Sequence, residues 1–393
     1  MKKIFRKDLR IMYTVETSKH FVKRYDEKSG APFYVLATHV APQQQAYYFV
    51  NPSMSDDCRY LWFWCTFPPA KYYTLAVIDF LTDEIHHFPE TEFVDATPLT
   101  DVETGEVYFA TLDAIYKRSP NPELPLELVC ELPSNILENH AKMIKTATHL
   151  TMSPDKKEMF IDAMTTKGWI AGSLTLATGE FKVWCRPDYY RNHGQFNPVY
   201  PGLALMAEEF DTDENGNYRS IRTDENGVFM RLWTVKDTGE EKVWPPLNLE
   251  RATHEWWSAD GTKIYYCKYN NEEGNNGLCA IDIFTGEHKL VAPVRGWHGH
   301  SSKDDTIFVF DENDGFFRGC ASRVGLYNVK TGKMVYIVSD QPAVATREKP
   351  AKYHLDPHPR LNGSEKYITF STSVYGKIDF AVAKTSDIIA LTE

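Results

Sequence analysis

Apolar residues along this chain fall into short runs that are broken, again and again, by polar turns. One unit reads "ATHEWWSADGTKIYYCKY", a short strand, a Ser-Ala-Asp-Gly turn and an apolar strand. The same order recurs in "YYFVNPSMSDDCRYLWFWC", "ATHLTMSPDKKEMFIDAM", "HGQFNPVYPGLALMAEE", "GWHGHSSKDDTIFVFDE" and "HPRLNGSEKYITFSTS". A second hairpin closes most units: "LTLATGEFKVW", "WTVKDTGEEKVW", "AIDIFTGEHKLV" and "LYNVKTGKMVYIV". In these turns Gly179, Gly239, Gly286 and Gly332 supply the positive φ that a tight hairpin needs. Each unit therefore holds four strands, at a period of roughly 40–60 residues, the range of propeller blades.

A less regular stretch, residues 94–133, completes the count at seven. The last unit lacks a strong outermost strand. The early strand "PFYVLATHV", residues 32–40, can fill that place and close the ring, which removes an open sheet edge. "NILENHAKMIK" reads as one short helix at most. The chain is thus expected to be all-β: a single seven-bladed β-propeller over residues 25–393, closed by an N-terminal strand, with residues 1–24 as an extension. The repeat order argues against a pair of β-sandwiches.

Aligning the units on the turn brings out a second pattern. His149, His193, His254, His298 and His358 each stand four residues before Ser153, Asn197, Ser258, Ser302 and Asn362. Innermost strands line the axis of a propeller, so equivalent positions form a ring at one end of it. One such histidine reads as blade packing. Five in register, from 13 in the chain, do not arise by chance. Imidazoles bind transition metals and serve as bases near neutral pH. His300, His354 and Asp356 lie close by in sequence, and Arg231 precedes a Thr-Gly-Glu turn. Cations beside imidazoles fit an anionic ligand. Trp256, Trp257, Trp297, Tyr189, Tyr190 and Tyr353 could stack on sugar faces, although each taken singly reads as blade packing. Arginines other than Arg231 read as solvated loop ends.

Composition narrows the classes. The chain has 393 residues, a net charge of −11 and 13% aromatic residues. That charge argues against general nucleic-acid binding. No apolar run is long enough to span a membrane. The basic start "MKKIFRKDLR" has no apolar core of a secretory signal, and seven scattered cysteines without a CxxC suit a reducing compartment. A cytoplasmic location follows for the sequence as given, and a periplasmic one if a leader was trimmed. A monomer or a homodimer is expected.

"THEWWSADGTKIYY", "FMRLWTV", "HGQFNPVYPGLALMAEE" and "HPRLNGSEKYITFSTS", with the early "YDEKSGAPFYVLA", together resemble the oligogalacturonate lyases and related seven-bladed polysaccharide lyases. The resemblance implies β-elimination on a uronic-acid glycan. It implies His254 as the base, Arg231 as its cationic partner, and His298 and His358 as ligands of a divalent metal, manganese in that family. The family segment Gln-x-x-His-x-His reads here Tyr353-His354-Leu355-Asp356-Pro357-His358, so Tyr353 replaces glutamine and Asp356 replaces histidine. A carboxylate ligand tilts the choice toward manganese or calcium. The expected metal set is His298, His358 and Asp356 or His354. His193, Tyr190 or water would protonate the leaving oxygen. The anionic oligosaccharide would lie on His149, Tyr190, Trp256, Arg295 and Tyr353.

The first unit, "APQQQAYYFVNPSMSDDCRYLWFW", is similar to propellers acting on rhamnose-capped glucuronate in arabinogalactan, among them lyases and exo-α-L-rhamnosidases. Where those hydrolases carry a histidine, this chain has Gln43, Gln44 and Gln45. A glycoside hydrolase or a non-catalytic sugar binder are the other readings. A hydrolase needs a carboxylate pair, for which Glu208, Glu209 and Glu255 are available. A protein-interaction propeller fits less well, because no Trp-Asp dipeptide ends the units.

Overall fold

The computed structural model describes residues 12–133, 141–209, 211–212, 218–219, 222–227, 229–249, 251–269, 276–313, 321–344 and 356–393. Seven antiparallel sheets follow one another around an axis as a seven-bladed β-propeller. Blade 5 is representative, with Arg251–Trp257, Lys263–Tyr269, Gly277–Asp282 and His288–Ala292 paired in chain order. The inner hairpins share one turn chemistry. Ser55, Ser153, Ser258 and Ser302 each donate through Oγ to the aspartate two residues on, at 2.6–2.8 Å. Each Oγ also accepts the backbone N–H five residues on, at 2.9–3.0 Å. That double bond sets where the apolar strand begins. Gly179, Gly239, Gly286 and Gly332 all have positive φ, between 67° and 86°.

The hydrophobic core lies between blades. Phe160 meets Phe196 of the next blade at 5.4 Å between ring centroids, and Tyr265 meets Phe308 at 5.1 Å. Cys58, Cys65, Cys267 and Cys279 are buried free thiols; Cys320 lies outside the described residues.

Ring closure uses two N-terminal strands, where one was expected. Phe21–Tyr25 pairs with Pro32–Leu36, which pairs with Asp379–Lys384 and so completes the blade of Tyr367–Thr372 and Arg360–Asn362. Two sequence readings need correction. The segment expected as a helix ends in a strand, Met143–Lys145, with residues 135–140 outside the described residues. The apolar start of the first unit, "YYFV", taken as its short strand, is an irregular segment whose Tyr48 carbonyl accepts from Asn51 N at 2.9 Å. No described helix is long and apolar enough to cross a membrane.

Candidate functional site

The histidine ring forms at one end of the axis. Ring centroids run 6.0 Å from His149 to His193, 6.4 Å to His254, 3.9 Å to His298 and 4.3 Å to His358. The irregular segment of blade 1 brings Tyr48 into the middle. Tyr48 stacks on His193 at 5.6 Å and on His149 at 5.4 Å, and meets His358 edge-on at 4.9 Å. Phe49 packs beneath His298 at 5.3 Å. Counting back four residues from Ser55 and Asp101 puts Asn51 and Thr97 at the ring position of the first two blades. Thr97 bridges His149 directly.

Local backbone aims three of these side chains. His193, His254 and His358 have φ of 53°, 49° and 49°. Strand register shifts between Asn192 and Gln195, and between Thr253 and Trp256. A bulge turns a side chain that regular pleating would direct elsewhere. The left-handed conformation costs roughly 1–2 kcal/mol per residue, a strain that tends to collect at functional sites.

Two groups of charged atoms flank His254. On one side Arg231 is buried, donating from Nε to Glu255 at 3.1 Å and from Nη1 to Glu209 at 2.8 Å. Its Nη2 has no hydrogen-bond partner among the described residues. Burial lowers the Arg231 pKa, but Glu209 and Glu255 outweigh it and the net shift is upward. Nδ1 of His193 lies 3.5 Å from Glu255 and 3.7 Å from Glu209. Of the three glutamates available in the sequence, these two converge; Glu208 instead pairs with Arg222 and Arg191.

On the other side His298, Asp356 and His358 each offer a ligand atom, all within 4.8 Å of one another. Asp311, wholly buried, stands behind them. Its carboxylate faces His298 Nδ1 at 3.0 Å and accepts the backbone N–H of His298 at 2.8 Å and of His358 at 3.0 Å. A carboxylate only accepts, so Nδ1 of His298 is the nitrogen that donates to Asp311. Such a carboxylate behind a histidine is the usual support of a metal ligand. Two imidazoles and a carboxylate with this backing fit a divalent cation.

Other sequence-picked residues fall elsewhere. His149 is fully buried below Tyr48. Trp256 is 2% exposed, donates to Ser301 Oγ at 3.1 Å and faces the opposite end of the axis. Tyr190 stacks on Trp169 at 4.1 Å, and its carbonyl accepts from Glu209 N, which ties it to the Arg231 side. Arg295 is half-buried in the loop before His298. Tyr353 and His354 lie outside the described residues. Arg191, taken for a solvated loop end, is buried between Glu208 and Glu241 and lies 3.6 Å from the Trp233 ring centroid.

Burial pushes the pKa of His149 down to about 3 and those of His193, His254 and His300 well below their ordinary value. The unfolded chain regains ordinary imidazoles, near 6.5. Below that pH it binds more protons than the folded chain, so stability falls as pH drops. Above it the contribution is complete. The denaturant midpoint should decline from pH 7.5 to pH 5.5; a flat profile would contradict neutral His149, His193, His254 and His300.

Comparison with known proteins finds no matching family model. Oligogalacturonate lyase of Dickeya dadantii (strain 3937) is 26% identical over 235 residues, 55% of either chain. Oligogalacturonide lyase of Pectobacterium atrosepticum is 27% identical over 230 residues, again 55% of either. The chain thus spans about half the length of the curated relatives it matches. Among solved structures, an oligogalacturonate lyase in complex with manganese aligns with a TM-score of 0.70 at 16% identity, covering 93% of this chain and 96% of that one. The oligogalacturonate lyase from Vibrio parahaemolyticus gives the same TM-score at 15% identity, with the same coverage. The fold is that of a seven-bladed β-propeller, and in sequence the chain is similar to oligogalacturonate lyases.

Proposed function

We propose that this protein is a lyase that cleaves a uronic-acid-containing oligosaccharide by β-elimination. The observation that carries the reading is the meeting of His193, His254, His298 and His358 with Arg231 at one end of the axis. The elimination breaks the C5–H and C4–O bonds and leaves a C4–C5 double bond. Its first need is to offset the C6 carboxylate charge, so that the C5 proton becomes acidic. Arg231 offers Nη2 for this, its other two nitrogens being held by glutamates. A divalent metal on His298, Asp356 and His358, manganese as in the aligned lyase or calcium, would add Lewis acidity.

His254 is the base. Burial first, then the neighbouring His298 and Arg231, keep it unprotonated at neutral pH, and its Nδ1 is held by the Thr253 hydroxyl at 3.0 Å. O4 takes its proton from Tyr190, whose hydroxyl burial keeps protonated, or from water; His193, itself held unprotonated, stands between Glu209 and Glu255. Tyr190 and Arg295 border the sugar. Oligogalacturonate and rhamnose-capped glucuronate are the two substrate classes.

The test is to incubate the protein with each glycan, with and without chelator, and to follow ultraviolet absorbance of the unsaturated uronate together with reducing ends. Rising absorbance that chelator abolishes and manganese restores is the expected result. New reducing ends without that absorbance would mean hydrolysis, for which Glu209 and Glu255 are the carboxylate pair. No products from either class would reject the reading.

A further inference from the structure

The axial channel has a second tier. Two residues after each ring histidine stand Thr151, Gln195, Trp256, His300 and Arg360. All five line one cavity of about 350 Å³ at the far mouth of the axis. Tyr48 and Phe49 fill the space between the two tiers.

This cavity has the composition of a binding site. Arg360 donates from Nη1 to the Phe49 carbonyl at 2.8 Å, while its buried Nε has no hydrogen-bond partner among the described residues. Nδ1 of His300, on the adjoining blade, is likewise buried without one. Arg360 forms no salt bridge among the described residues, whereas Arg191 and Arg231 each hold two carboxylates. A guanidinium whose Nε is buried without a partner, and which has no ion-pair partner among the described residues, favours an incoming anion. Trp257, Met54 and Leu361 give the cavity apolar walls. Asp56 and Glu365 stand among its lining residues and disfavour a doubly charged guest.

We propose that this far mouth is a second binding site, taking a small monoanionic carboxylate, such as that of a sugar acid, on Arg360 and His300. It shares no residue with the proposed elimination site. The cationic fork suits a carboxylate bidentately, and the apolar walls suit the carbon body behind it.

The test is calorimetric titration of the full chain with sodium galacturonate, then with galactose and with sodium phosphate. Wild type, Arg360→Met and His300→Leu are compared, with circular dichroism as the check on folding. Expected is a galacturonate site that Arg360→Met weakens by about tenfold or more, since each lost charged hydrogen bond is worth about 1.5–3 kcal/mol. The rate of unsaturated product should stay at the wild-type level. If Arg360→Met fails to fold, His300→Leu decides. Equal binding of galactose, tighter binding of phosphate, or unaltered binding by folded variants would overturn the proposal. Should wild type form no unsaturated product, the elimination reading fails while the titration still decides this site.

Discussion

Replacing His254 by asparagine lowers the turnover of uronate oligosaccharides by about 10²–10⁴-fold, the usual worth of general-base catalysis. Asparagine is chosen because the residue sits at φ 49°, a conformation that asparagine adopts more readily than alanine or a β-branched residue. The backbone bulge should then survive, and the loss can be assigned to the missing base. Initial rates of unsaturated product are the measurement, with an unchanged thermal midpoint as the control. A variant with full activity on every glycan that wild type cleaves would remove His254 from the reaction.

The second large effect concerns stability. Arg231→Leu leaves Glu209 and Glu255 facing each other without the guanidinium between them, and Glu255 is only 1% exposed. Removing one partner of a buried ion pair costs about 3–5 kcal/mol. Denaturant titration should register a loss of that size. Adding Glu255→Gln to Arg231→Leu should recover part of it, because the uncompensated charge is then gone. Full stability in Arg231→Leu would show the guanidinium to be dispensable to the fold. Recovery of stability without recovery of turnover would separate its structural part from its chemical one.

The blade count and the five-membered histidine ring could be read from spacing, because both rest on a register repeated from unit to unit. Ser55, Ser153, Ser258 and Ser302 mark that register in hydrogen bonds as well as in sequence. Features that break the repeat escaped. Tyr48 reaches the axis only because blade 1 abandons strand geometry over Tyr47–Pro52, and the aromatic run there looks like a strand in sequence. Asp311 sits on a second strand, where an acidic residue in an apolar run was the one available clue. Glu209 and Glu255 were in view, but only coordinates show Arg231 drawing them together. Arg191 reads as a loop end because its partners, Glu208 and Glu241, come from other strands of the blade.

The last blade is woven from both ends of the chain, with Tyr34 paired to Val382. A ribosome makes these partners far apart in time. At about 5–20 residues per second, on the order of 20–70 seconds separate them. Throughout that interval the strand Pro32–Leu36, apolar at almost every position, has an unpaired edge of its own. In that interval a chaperone or a temporary strand partner can cover the open edge. Whatever fills that role must leave before the circle can shut.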